Sequence, residues 1–251
     1  MYKNIILYII LVGLGSGCAQ KTYLADVSSR TYRIEKGSYT NDLAISDMIA
    51  PYKAELDKTM NEVIGQNEAE MSKGKPNSSL TNWFADAIWE EVNVQPGLKA
   101  DLAVQNYGGV RINSFAAGPV TIGAIYELMP FDNSLYILSM TGAQVQMLFD
   151  KIAESNGWPV SRSVSFTTEF GKAAGLKIGG SDIDLNAVYQ VAIPDYVANG
   201  GDNMDFLKDC PKVETGKLVR DLLISYVKRQ TAAGRVLKAD TTPRIKESGK
   251  N

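Results

Sequence analysis

The sequence predicts a mixed α+β fold. Three observations carry that prediction. Amphipathic helical stretches and short strands follow one another without strict alternation. Glycine- and polar-rich turns separate three short strand candidates in the second half of the chain. The 251 residues are 45% hydrophobic, which suits one sizeable domain with its own core.

The elements follow in chain order. Leu43 to Met60 has helical spacing of Leu43, Met48, Ile49, Tyr52 and Leu56. Asn41 and Asp42 are both candidate caps, and Pro51 inside the stretch predicts a later start or a kink. Glu62 to Ser72 is expected to hold a strand and then a polar loop. Lys73-Gly-Lys-Pro-Asn77 is turn chemistry. Ser78 to Val92 is the clearest helix: Leu80, Phe84 and Ile88 recur at i, i+4 and i+8, and Ser78 or Ser79 caps it. Leu102 to Gln105 is a short strand. Thr121 to Leu128 is a short helix, Leu135 to Met140 a strand, and Thr141 to Ser155 a helix with Val145, Leu148, Phe149 and Ile152 on one face. Val164 to Thr168, Leu176 to Ile178 and Tyr189 to Ile193 are strands. Thr215 to Gln230 is expected to be an amphipathic helix with Leu218, Leu222, Leu223 and Tyr226 inward. Residues 41–240 thus form the domain, and residues 241–251 are expected to be a flexible tail.

The N-terminus has the pattern of a targeting segment. Lys3 is basic, Ile5 to Leu14 is an apolar run of about ten residues, and small residues follow, as in a signal peptide over residues 1–17. Such a run is shorter than the roughly 20 residues a spanning helix needs. Cys18 directly after Gly15, Ser16 and Gly17 resembles a bacterial lipobox, although Gly15 stands where a large aliphatic residue is usual. Acylation of Cys18 would tie the chain to a membrane of the bacterial cell envelope, periplasmic or surface-facing, with residues 18–40 as tether. The alternative is an ordinary secretory signal with a chance Cys.

Composition narrows the chemistry. With two cysteines and one of them lipidated, Cys210 has no partner and no disulfide framework follows. A net charge of −2 gives no electrostatic footprint for nucleic acid. The chain contains no histidine at all, which removes His-based triads and His-bearing metal centres. No metal or other cofactor is expected on this chain, and no catalytic residue.

Three segments carry binding chemistry. Asn106-Tyr-Gly-Gly-Val-Arg111 follows a buried strand; its glycines let backbone lie close to a ligand, and Arg111 offers a planar donor fork for phosphate or carboxylate. The alternative is a strand-end turn with a surface Arg. Pro130-Phe-Asp-Asn133 places a ring and an amide in a Pro-led loop, for a base or else as a core Phe beside an Asx-turn. Asp195-Tyr-Val-Ala-Asn-Gly-Gly-Asp202 puts an aromatic ring, Gly200, Gly201 and a carboxylate just past a strand's C-terminal end, where layered α/β folds bind ligands. Its alternative is a Gly-Gly turn with a solvated Asp. Together, Phe131 and Tyr196 are candidates to sandwich a flat ring, Asp202 to take a ribose and Arg111 a phosphate.

These segments, in this order, resemble the C-terminal domain of the 5'-nucleotidase and UDP-sugar hydrolase family. That domain shows Asn-Gly-Gly-Gly-Ile-Arg-like, Pro-Phe-Gly-Asn-like and Tyr-x-x-x-Gly-Gly-Asp-Gly-like segments. A Thr-Gly-led helix, matched by Thr141-Gly-Ala-Gln-Val, lies between the last two. A Ser-Asn-Leu-Gly-Asn-like helix start, matched by Ser78-Ser-Leu-Thr-Asn82, lies upstream. The resemblance runs from roughly Val63 to Arg229. It implies a layered α/β/β/α fold, Asn133 on the base and Asn106 in the same pocket as the residues above. Tyr107, Asp132 and Asn203 stand where the family has glycines, and Lys73 and Lys75 stand in a region where it often has Arg; a solvated loop is the expectation for these lysines. The family's N-terminal metallophosphatase domain, with its two divalent metals, has no room between Cys18 and Val63. The resemblance therefore implies a nucleotide- or nucleoside-recognition component whose catalytic half is a separate metallophosphatase chain, or alternatively a non-catalytic binding lipoprotein.

Overall fold

The computed structural model describes residues 27–33 and 42–248. The apolar run before residue 18, Cys18 itself and most of the expected tether lie outside the described residues; residues 27–33 are exposed and carry no regular secondary structure. The chain divides into two units, Met1–Met48 and Ile49–Asn251. Helix α1, Leu43–Met60, runs through Pro51, and none of its residues is buried. Asp42 caps it, its Oδ1 accepting from the amides of Ala44 at 2.9 Å and Ile45 at 3.3 Å.

The second unit is α+β, as the sequence predicts. Its centre is a four-stranded sheet built from β3 (Leu102–Ala103), β6 (Ser134–Thr141), β10 (Val188–Pro194) and β11 (Lys212–Leu218), in the order β11-β6-β10-β3. β10 runs parallel to β3 and antiparallel to β6, and β6 runs antiparallel to β11. A second sheet has the order β12-β7-β8-β9, from Ile245–Glu247, Val164–Glu169, Lys172–Ile178 and Ser181–Asp182. Two small pairs complete the strands: β1 (Val63–Asn67) with β5 (Gly118–Thr121), and β2 (Met71–Ser72) with β4 (Ser114–Phe115).

Side-chain alternation along the central strands explains the layers. On β6, Leu135 and Ile137 enter one core and Leu138 and Met140 the other; on β10, Ala192 faces the first core and Val191 and Ile193 the second. The first core is closed by α2 (Ser79–Val94), α3 (Ile122–Leu128) and α6 (Val219–Ala232). The second is closed by α4 (Gly142–Glu154) and the β7–β8 hairpin. α2 forms because Leu80, Phe84, Ala87 and Ile88 fall on one stripe and are buried there. Each large apolar side chain on that stripe contributes about 1.5–3 kcal/mol. Its start is a capping box, with Ser78 as the cap and Thr81 answering it. Thr141 and Gln144 form the same device at the start of α4.

Two sequence expectations are corrected. The first four residues of the expected helix Thr215 to Gln230 belong to β11, and α6 starts at Val219. Thr215 donates its hydroxyl to the Leu135 carbonyl at 2.8 Å, and Glu214 pairs with Tyr136, so pairing with β6 outweighs helical periodicity here. Residues 241–248 are not a frayed tail. Ile245–Glu247 adds a parallel strand to β7, and Arg244 is 3% exposed, held by Asp86 and Asp240. A polar sequence misled because its key charge is buried with a partner rather than solvated.

Candidate functional site

Strand direction decides where the chemistry collects. β3 and β10 are parallel, so their C-terminal ends open on the same edge of the sheet. β3 leads into Val104-Gln-Asn106, and β10 leads into the short helix α5 (Asp195–Ala198) and the glycine turn. β6 is antiparallel, so the loop before it, Phe131 to Asn133, arrives at that edge too. α6 starts there as well, with the Val219 amide donating to the Asn133 carbonyl at 2.9 Å.

These segments enclose a cleft of about 530 Å³, lined by Asn106, Gly108, Gly109, Arg111, Phe131, Asp132, Asn133, Tyr196 and Asp202. Six of the residues singled out from sequence are therefore brought together: Asn106, Arg111, Phe131, Asn133, Tyr196 and Asp202. Phe131 and Tyr196 keep 41% and 48% of their surface exposed, unusual for rings whose neighbours are core, so both have faces to offer. Gly200 and Gly201 do not line the cleft. Gly200 takes φ +94°, and a Cβ on Gly201 would lie 2.5 Å from Tyr196 Cε1 and 2.6 Å from the Tyr196 carbonyl oxygen. Gly201 lets the turn pack against the tyrosine ring, and a Cβ on Gly200 would instead lie 2.4 Å from Lys208 Cε.

A hydrogen-bond chain fixes the polar side of the cleft. Gln105 Nε2 donates to Asn106 Oδ1 at 2.7 Å, and Asn106 Nδ2 donates to Asp202 Oδ2 at 2.7 Å. Tyr196 donates its hydroxyl to Asp202 Oδ1 at 3.1 Å. Each carboxylate oxygen keeps a lone pair for a further donor. Asp202 and Asn203 both adopt left-handed backbone, with φ of +53° and +64°. Asp and Asn tolerate that region better than other non-glycine residues, which accounts for Asn203 standing in a glycine position.

Arg220 braces the aromatic loop from below. It is 6% exposed, donates from Nη2 to Asp132 Oδ1 at 2.6 Å and from Nη1 to the Phe131 carbonyl at 3.3 Å, and lies 4.1 Å over the Tyr126 ring. Nothing local in the chain signals this contact, since Arg220 is most of a hundred residues from the loop it holds.

Two lysines stand near Arg111, outside the residues that line the cleft. β2 pairs with β4, just after Arg111, so the lysine loop is carried against the same segment: the Lys73 amide donates to the Asn113 carbonyl at 2.9 Å, and Lys73 Nζ to the Val110 carbonyl at 2.6 Å. Lys73 and Lys75 sit 4.1 Å and 4.6 Å over the Tyr107 ring. Arg111 sits 5.4 Å over Phe131. Burial, with Arg111 and then Lys75 close by, holds the Lys73 ammonium below the usual lysine range. Burial does the same to Lys75. None of the three cations forms a carboxylate ion pair among the described residues. The expectation of a solvated lysine loop holds for Lys75, which is exposed and donates from Nζ to the Ser155 carbonyl, while Lys73 is partly buried close to Arg111.

A wider cleft of about 870 Å³ opens at the other ends of β3 and β10, lined among others by Trp89, Lys99, Asp101, Arg162 and Tyr189. Its Arg162 is already paired with Glu90 at 2.7 Å. The smaller cleft combines two half-exposed rings with Arg111, which has no carboxylate partner among the described residues, and on chemistry it is the better candidate.

A sheet-edge cleft of this kind is a common place for a small-ligand site in layered folds. The chain belongs to the 5'-nucleotidase, C-terminal domain family, whose model matches residues 57–209. A 5'-nucleotidase of Vibrio cholerae is 33% identical over 134 residues, 51% of this chain and 24% of that protein. A 5'-nucleotidase of Vibrio vulnificus is 28% identical over 200 residues, 76% of this chain and 35% of its own length. The chain thus spans about a third or less of these relatives. Among solved structures, a 5'-nucleotidase precursor from Thermus thermophilus shares the fold with a TM-score of 0.70 at 23% identity, covering 84% of this chain and 44% of that one.

Proposed function

We propose that this chain is the nucleotide- or nucleoside-recognition component of a split 5'-nucleotidase-type phosphohydrolase in nucleotide catabolism, with the di-metal catalytic domain on another chain. The observation that carries the reading is that Phe131, Tyr196 and Asp202, up to about seventy positions apart, line one cleft. In this reading the base lies against Phe131 and Tyr196, each stack worth roughly 1–3 kcal/mol. Asp202 accepts the ribose hydroxyls, oriented by Asn106 and Tyr196. Arg111 meets the phosphate end, and Lys73, close to Arg111, adds to the positive potential there.

The residues present do not fit a di-metal centre: among the described residues no group of three or more His, Cys, Asp or Glu side chains is placed to hold a metal. No step through a metal is therefore assigned to this chain. The relatives' greater length supports a catalytic domain outside the matched region. The signal-like N-terminus and Cys18 support a lipid-anchored location at the bacterial cell envelope.

Calorimetry with adenosine, AMP and UDP-glucose tests recognition: affinity is expected, and is expected to fall when Phe131→Ala and Tyr196→Ala are combined. Unchanged affinity in that double variant overturns the site. Mixing the chain with a separate metallophosphatase and assaying phosphate release from AMP tests the split. Tight binding without association or rate gain favours instead a non-catalytic binding lipoprotein.

A further inference from the structure

Three consecutive residues of the aromatic loop are tied to two consecutive residues of α6. The Phe131 carbonyl accepts from Arg220 Nη1 at 3.3 Å, Asp132 Oδ1 accepts from Arg220 Nη2 at 2.6 Å, and the Asn133 carbonyl accepts from the Val219 amide at 2.9 Å. On its other side the loop meets the one that carries Tyr196, where Asn133 Nδ2 donates to Asp195 Oδ1 at 2.7 Å. Arg220 has little room to move, because it is buried and stands 4.1 Å over the Tyr126 ring of α3. Asp132 occupies a position where the related loops carry glycine. Glycine leaves the backbone free; here a side chain with a fixed partner removes that freedom. The two residues depend on each other, since a buried guanidinium without its carboxylate would be an uncompensated charge.

We propose that the Asp132–Arg220 pair is a latch that sets the Phe131 ring in place before a ligand arrives, with Arg220 as the positioning residue. This rests on the nucleoside reading of the cleft and adds a device that glycine at position 132 cannot supply. A ligand that meets a ring already in place does not have to order the loop, and losing that advantage weakens binding about three- to tenfold. The Asp132 side chain is 81% exposed, so dissolved salt screens the pair. An uncharged nucleoside thereby acquires an affinity that falls as salt rises, which stacking on an apolar ring does not produce by itself.

The test is calorimetry of adenosine on the full chain at low and high salt, with melting curves to show that each variant is folded. In the unaltered chain the affinity is expected to fall about two- to fivefold between about 0.05 M and about 1 M sodium chloride. Asp132→Gly and Arg220→Met are each expected to weaken adenosine binding about three- to tenfold and to remove the salt dependence. Combined, they should cost no more than either alone. Arg220→Lys keeps the charge and should recover part of the affinity together with the salt dependence. Arg220 does not line the cleft. A loss in Asp132→Gly with none in Arg220→Met therefore means that Asp132 meets the ligand directly, and it overturns the latch. Additive losses overturn it too, as does an affinity in the unaltered chain that salt does not weaken. Should Arg220→Met not fold, Asp132→Asn, which keeps the shape and removes the charge, carries the same expectation, and unaltered affinity and salt dependence in that variant overturn the latch. Each of these results leaves the nucleoside site standing. Failure of every nucleoside to bind overturns the nucleoside reading itself, and this inference with it.

Discussion

Gly201→Ala is a perturbation whose effect can be worked out from distances. The new Cβ would stand 2.5 Å and 2.6 Å from Tyr196 Cε1 and Cζ, and 2.6 Å from the Tyr196 carbonyl oxygen. Ordinary carbon contacts begin near 3.4 Å, so the ring must retreat by about 0.9 Å. Tyr196 is half exposed and can move, but the carbonyl contact forces its backbone to shift with it. The ring then leaves the face it offers the cleft, and its hydroxyl loses its line to Asp202. Loss of part or all of one stacking contact, about 1–3 kcal/mol, predicts adenosine affinity about 5- to 150-fold weaker. Gly201 does not line the cleft, so the effect on affinity should pass mainly through the ring. Tyr196→Ala should cost as much, and Gly201→Ala added to Tyr196→Ala should cost little more. Calorimetry gives the affinities, and thermal melting shows that each variant is folded. Unchanged adenosine affinity in Gly201→Ala, or full additivity of the two substitutions, would refute the reasoning.

Two further outcomes concern the frame that holds the cleft. Arg244→Met leaves Asp86, whose side chain is 8% exposed, without its main partner; breaking a buried pair costs about 3–5 kcal/mol, which predicts a melting point roughly 6–20 °C lower, and a shift under about 2 °C would mean that the segment after Ala239 is not docked. Burial, then the nearby Glu90 and Asp86, pushes the Tyr226 hydroxyl up to about 12 from its ordinary 10.0. Because the folded value is raised, this group's stabilisation is complete below about pH 10 and is lost as pH rises through 12, amounting to at most about 3 kcal/mol. Tyr226→Phe should therefore flatten that part of the stability profile measured by denaturant melts at pH 9 to 12, and an identical alkaline slope in both proteins would rule the assignment out.

Much of the scaffold was legible locally. Helix α2 and helix α4 announce themselves by a Ser- or Thr-led capping box and an apolar stripe, both properties of a few consecutive turns. The candidate cleft was legible for a related reason: Asn106, Phe131 and Tyr196 each sit directly beside a strand end, where a glycine or proline marks the change of direction. What misled was any residue whose environment is set by a distant one. Thr215 looks helical until β6 is beside it, Arg244 looks solvated until Asp86 is beneath it, and Lys73 looks like loop surface until β4 draws it toward Arg111.

The sequence by itself determined the mixed α+β class, the family and the absence of imidazole from the chain, and it singled out the rings and the carboxylate that line the candidate cleft. Those follow from composition and from short-range patterns, which the chain carries in one dimension. Only the tertiary structure decided that Asp195 holds the Asn133 amide, that Arg220 braces Phe131 and that Lys73 lies close to Arg111. Each depends on the parallel and antiparallel pairings that bring remote strand ends to one edge. Those pairings are set by burying two apolar faces of one sheet at once, which no local stretch of sequence encodes.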